Sequence, residues 1–197
     1  MKSLGTWLVA GTGVLLVAAC SSQPAPAPTP TPAAPPQMSP AERGRYLGTA
    51  MGCNDCHTPW KMGPNGPEPD MSRMLSGHPE SEKAVKPPKL DGPWMAATSS
   101  TFTAWAGPWG ISYTANLTPD QNTGLGIWTE DMFIKAIREG KHMGTSRPIL
   151  PPMPWPSFKN LSDEDLKAIF AYLKTIPPIV NHVPDPIIAE PPKPPAK

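Results

Sequence analysis

The sequence predicts an all-α domain wrapped in long proline- and glycine-rich loops. Three segments carry apolar residues at helical spacing behind a capping residue, which is how short helices announce themselves. The 197 residues include 31 prolines and 16 glycines, so loops should outnumber helices elsewhere. Of three cysteines, two fall in one Cys-x-x-Cys-His motif, around which such loops would fold.

The N-terminus reads as an export signal. Met1, Lys2 and Ser3 form a basic start, and Trp7 to Ala19 is mostly apolar, broken by Gly11, Thr12 and Gly13. That run suits a secretory signal and is too short to span a bilayer comfortably. Val17-Ala18-Ala19-Cys20 resembles the lipobox of bacterial lipoproteins, which implies that residues 1–19 are removed and that Cys20 is lipidated. The alternative is an ordinary cleaved signal with Cys20 incidental. Ser21 and Ser22 follow, with no aspartate; by the same resemblance the outer membrane is slightly favoured over the inner.

Residues 20–38 form a Pro/Ala-rich tether. Such a segment adopts extended polyproline II, and at about 3.1 Å per residue it holds a domain on the order of 50 Å from its anchor. Residues 39–184 have the length of one domain. The net charge is +1, with Lys and Arg scattered, which gives no support for nucleic-acid binding. Residues 185–197 are again proline-rich and expected to be disordered.

Within the domain, Ser39-Pro40-Ala41-Glu42 is a capping box with proline at the first helical position. Tyr46, Leu47, Ala50 and Met51 follow at helical spacing, so a helix is expected to run from Pro40 into the cysteine motif. Gly44 and Gly48, one turn apart, suit the close approach of a crossing helix. Thr129 caps a second helix to about Glu139, with Met132, Phe133, Ala136 and Ile137 as its apolar face and Gly140 ending it. Ser162 caps a third, with Asp163, Glu164 and Asp165 in its first turn and Leu166, Ile169, Phe170 and Leu173 behind. Pro177 and Pro178 prevent its continuation.

Cys53-Asn54-Asp55-Cys56-His57 has the spacing of a c-type haem attachment site. Two thiols a helical turn apart can add to the two vinyl groups of one porphyrin edge, and the next histidine is carried beneath the ring to donate a nitrogen to iron. A redox disulfide would want a βαβ setting, and a zinc site would want further ligands near the pair. One covalent haem c is therefore expected, held by Cys53, Cys56 and His57.

The sixth ligand must be chosen among several methionines. Met153 lies in Leu150-Pro151-Pro152-Met153-Pro154-Trp155, where prolines exclude a helix and stiffen the backbone. A stiff strap holds a sulfur in one place, and methionine ligation raises the potential of an electron carrier. Met153 is the preferred ligand, with Met143, His142, His78 and an open site as alternatives. The stretch 59–113 is the least readable. Trp94, Trp105 and Trp109 suggest either a wall around the haem whose indole N–H groups reach the propionates, as Arg147 could from elsewhere, or simple loop packing.

These residues resemble class I-like mono-haem c-type cytochromes, especially the haem domains of membrane-bound dehydrogenase cytochrome subunits. The resemblance rests on Cys53 to Thr58, on Ala115-Asn116-Leu117-Thr118-Pro119-Asp120 with Thr123 to Gly126 and Trp128, and on Pro152 to Trp155 with Leu161 to Leu166 and Ala171-Tyr172-Leu173. It covers about residues 41–180 and implies an all-α cytochrome c fold, His57 and Met153 as axial ligands, and crossed first and last helices. Such subunits often carry several haem domains, whereas this chain has one Cys-x-x-Cys-His, which leaves a subunit and a stand-alone carrier both open. The expected function is one-electron transfer in the bacterial periplasm by a non-enzymatic carrier, tethered to a membrane by lipid, between a dehydrogenase donor and a respiratory acceptor protein. The alternatives are a catalytic haem with an open sixth position, enlisting His142 and Arg147, and a haem sensor.

Overall fold

A computed structural model of the chain describes residues 37–82, 87 and 89–189. The expected signal peptide, Cys20, residues 20–36 of the tether and residues 190–197 lie outside the described residues.

The helices are α1 (Pro40–Ala50), α2 (Cys53–His57), α3 (Glu130–Glu139), α4 (Trp155–Phe158) and α5 (Asp163–Leu173). Their starts follow local chemistry. The Ser39 hydroxyl accepts from the Glu42 amide while the Glu42 carboxylate takes the Ser39 amide. Thr129 and Ser162 accept from the amides of Met132 and Asp165. Gly140, left-handed at φ 64°, ends α3. A left-handed Gly52 (φ 69°) separates α1 from α2, so the expected single helix into the motif is two.

α1 crosses α5 through glycine. Gly44 and Gly48 are the buried residues of α1, whereas Tyr46 is 62% exposed. Leu47 and Met51 pack against the core on the face that Gly44 and Gly48 open, whereas Tyr46 and Ala50 are exposed, because a helix backbone can approach another most closely where no Cβ intervenes. Beneath the crossing, Leu166, Ile169, Phe170 and Leu173 of α5 join Phe133 and Ile137 of α3, with Leu75, Leu125 and Ile176, in one core. The Phe133 and Phe170 rings lie 5.4 Å apart. Each such side chain contributes about 1.5–3 kcal/mol by burial. The ion pairs Arg43–Asp165 and Arg138–Asp163 on the rim are partly exposed and worth about 0–1 kcal/mol each. Apolar packing therefore holds the helices together.

The all-α expectation is overturned. Of the described residues, 32% are helical and 15% strand, and the strands form two sheets. In one, β1 (Trp60–Gly63) pairs antiparallel with β2 (Gly66–Pro69) around Pro64-Asn65. The other has the order β3 (Ala97–Thr98), β4 (Ala104–Gly107), β5 (Gly110–Tyr113), β6 (Ile187–Ile188), all antiparallel. β4 and β5 meet at Gly107 and Gly110 around Pro108-Trp109. These strands hold two to four residues each, too few for an alternating pattern to register. Gly110 has φ 104°, and a Cβ there would stand 2.7 Å from the Ala189 amide nitrogen, so glycine is what admits β6.

Buried amides knit the loops beside the sheet. Asn116 donates to the Ile179 carbonyl at 2.8 Å and accepts from the Thr118 amide and hydroxyl. Asn181 donates to the carbonyls of Ser76 and His78 and accepts from the Glu80 amide. Backbone bonds from His78 to Thr114 and from Leu117 to Leu75 zip the same segments. Together these contacts determine where the backbone at Ala115 lies.

Candidate functional site

α2 places Cys53, Cys56 and His57 on little more than one helical turn. Both thiols are free. Cys53 packs against the core cluster, and burial pushes its thiol up to about 11. Burial also raises Cys56, with the Asp55 carboxylate adding to it. A redox-active thiol pair runs in the opposite direction, toward lowered values. Among the described residues no group of three or more His, Cys, Asp and Glu side chains is assembled to hold a metal ion. The donor set therefore suits thioether formation better than a redox disulfide or a zinc site.

His57 is buried, and its Nδ1 lies 2.8 Å from the Ala115 carbonyl oxygen. A carbonyl only accepts, so Nδ1 carries the proton and the lone pair resides on Nε2. Burial is the larger influence on this imidazole and holds it below its ordinary range, against the pull of the Ala115 bond. The neutral form that ligates metals is thus favoured, with its tautomer and plane set by a second partner. The turn itself is braced: the fully buried Thr58 hydroxyl donates to the Asn54 side chain at 2.8 Å and accepts from the Leu75 amide at 2.9 Å. The Gly77 amide donates to the His57 carbonyl at 2.8 Å.

Met153 lies half-buried on the strap and packs against the same core cluster as Cys53. The strap begins where Ile149 donates to the Gly140 carbonyl at 2.8 Å. It ends at Trp155, whose ring covers Gly140 so closely that a Cβ there would lie 2.7 Å from Cδ2. Both ends of the strap are therefore seated on one glycine. Among the alternatives, His78 has both ring nitrogens engaged, by the Thr103 hydroxyl at 2.9 Å and the Glu82 carbonyl at 3.3 Å. Met143 sits in a short turn at φ 54°, and His142 stands edge-on to Trp128 at 5.2 Å.

The tryptophans divide. Trp94 is 73% exposed, and the Trp105 indole donates to the Phe102 carbonyl at 3.1 Å. Trp109 Nε1 and the Tyr113 hydroxyl are buried without a protein partner. Unpartnered buried donors are rare, and an acidic group such as a haem propionate would satisfy them. Arg147 faces Asp185 at 3.7 Å. Thiols, imidazole and thioether fit a c-type haem. Sequence reasoning missed Ala115 as the histidine's partner, Thr58 as a brace, and Tyr113. A backbone carbonyl is common to every residue and leaves no sequence signal.

No protein-family model matches the chain. Over 133 residues it is 32% identical to the fructose dehydrogenase cytochrome subunit of Gluconobacter japonicus, covering 68% of this chain and 20% of that one. It is 45% identical over 67 residues to the gluconate 2-dehydrogenase cytochrome c subunit of Pantoea cypripedii, covering 34% of this chain and 15% of that one. It is 37% identical over 81 residues to the cytochrome c subunit of the quinone alcohol dehydrogenase of Gluconobacter oxydans, covering 40% of this chain and 17% of that one. The chain thus spans a fifth or less of the length of these curated relatives.

Proposed function

We propose that this chain carries single electrons through one c-type haem, bound by thioethers at Cys53 and Cys56 with His57 and Met153 as axial ligands. The observation that carries the reading is the Ala115 carbonyl on His57 Nδ1, which presents Nε2 as a metal ligand beside two free thiols. When bound, the haem supplies a reversible one-electron iron couple. The chain's own residues keep that couple free of other chemistry. Thr58 and Ala115 hold the imidazole still, the proline strap holds the thioether still, and the Cys53 side of the motif is shielded by the core. Fixed ligands keep the rearrangement small when the iron changes charge. The protein is then a carrier and not a catalyst.

The similarity to dehydrogenase cytochrome subunits supports a dehydrogenase as electron donor, and a second redox protein on the respiratory side is the acceptor in this reading. The signal-like N-terminus and Cys20 support a lipid-anchored periplasmic location, the outer membrane slightly favoured. Residues 20–38 serve as a tether and 39–184 as the haem domain, and the tail 185–197 is fastened to that domain at its start by Ile187–Ile188 on β5.

The test is the visible spectrum of the haem-loaded protein beside Met153→Ala. The expected wild type shows the far-red band of methionine-ligated ferric haem and ignores carbon monoxide in the ferrous state. The variant loses the band and binds the gas. A wild type that binds carbon monoxide fully has an open iron and belongs with enzymes or sensors.

A further inference from the structure

The segment that carries Met153 is poorly equipped to hold itself in place. Between Pro148 and Pro154, the residues Pro148, Pro151, Pro152 and Pro154 have no N–H. The strap is pinned at its entry by the Lys141–Pro148 bridge and the Ile149 bond to Gly140. At its exit the Pro154 carbonyl accepts from the amides of Ser157 and Phe158. Between these pins its backbone is gripped at the Pro151 carbonyl, where the Ser112 hydroxyl donates at 2.5 Å. The other acceptor near that hydroxyl, the Trp105 carbonyl, is at 3.4 Å, so the proton goes to Pro151.

Ser112 is itself well fixed. It is 8% exposed and sits in β5, which is paired with β4 on one side and β6 on the other. Three residues further on, Ala115 accepts from His57. One short stretch of backbone thus touches both axial candidates: a hydroxyl on the strap of the thioether and a carbonyl on the imidazole.

We propose that Ser112 is a positioning residue for Met153, its hydroxyl clamping the strap so that β5 sets the placement of both axial ligands. This rests on the reading of Met153 as the sixth ligand. It also gives the second sheet a purpose that loop packing alone would not: it is the jig against which the two ligands are registered.

The experiment uses the full chain matured with its covalent haem. The ferric protein is titrated with imidazole, which must displace Met153 to bind. Four variants are compared: Ser112→Val and Ser112→Thr, which share a shape and differ in the hydroxyl, Ser112→Ala, and Met153→Ala. Loss of one part-buried neutral hydrogen bond is expected to tighten imidazole binding about fivefold in the Val and Ala variants, with a weakened far-red band and an unchanged covalent haem content. Ser112→Thr is expected to stay at wild-type affinity. Met153→Ala binds more tightly than all of them and has no far-red band. If the Val and Thr variants bind alike while Met153→Ala shows its gain, the clamp is wrong and the ligand reading stands. If Met153→Ala binds like wild type, the ligand reading fails and the clamp goes with it. Two hydroxyl-free variants of different size keep the outcome readable if one of them does not mature.

Discussion

Gly44→Ala is the substitution on which the helix crossing can be judged. In an exposed helix the change would stabilise by about 1 kcal/mol, because alanine loses less backbone freedom than glycine. At Gly44 the new Cβ would overlap the Ala168 carbonyl oxygen, and would stand 2.5 Å from its carbon and 2.8 Å from Tyr172 Cβ. These are backbone atoms and a Cβ, and none can rotate away. Either α1 lifts off α5 or the core beneath it shifts, and overpacking of that kind costs about 1–3 kcal/mol and occasionally more. With contact this close the upper end applies, so the propensity gain is outweighed by about 2 kcal/mol. For a chain of this size that lowers the melting temperature by about 4–8 °C. Gly48→Ala is the internal control. Its Cβ would meet Tyr172 Cε1 at 3.5 Å and Cys53 Sγ at 3.9 Å, which is ordinary contact, so it should gain up to about 1 kcal/mol. The assay is thermal unfolding of the haem-loaded protein by far-ultraviolet circular dichroism. A Gly44→Ala variant melting at or above wild type would refute the crossing geometry.

Two further outcomes are expected. Burial holds His78 below the ordinary histidine range, so the unfolded chain takes up a proton that the native one declines. Its contribution is fully present above the unfolded value, about 6.5, and is lost as pH falls from there toward the folded value. Denaturant midpoints should drop as pH falls below about 6.5, and the slope should flatten in His78→Gln; an unchanged slope there refutes the assignment. Cys20→Ser should move the protein from the membrane fraction to the soluble periplasmic fraction, and retention in the membrane overturns the lipid anchor.

Much of the helical frame is legible in the sequence because it is local. Ser39, Thr129 and Ser162 cap the helices that follow them through amides three residues away, and Cys53 to His57 occupy one short helix. Gly44 and Gly48 signal a close crossing, and Leu47 and Met51 join them against the core, but Tyr46 at the same apparent spacing does not. Tyr46 reads as a core residue, and only the docking of α5 turns it to water. The sheets are illegible for a related reason. β5 is four residues long and pairs on one side with Ile187–Ile188, far along the chain, so neither length nor pattern marks it. The partner of His57 is a backbone carbonyl, and the grip on the Met153 strap comes from a serine like any other. Which chemical groups are present and where helices begin can be read from the chain alone, since both depend on neighbours within one turn. Which groups meet, and what holds each candidate ligand still, depends on contacts between distant segments that share no local signal.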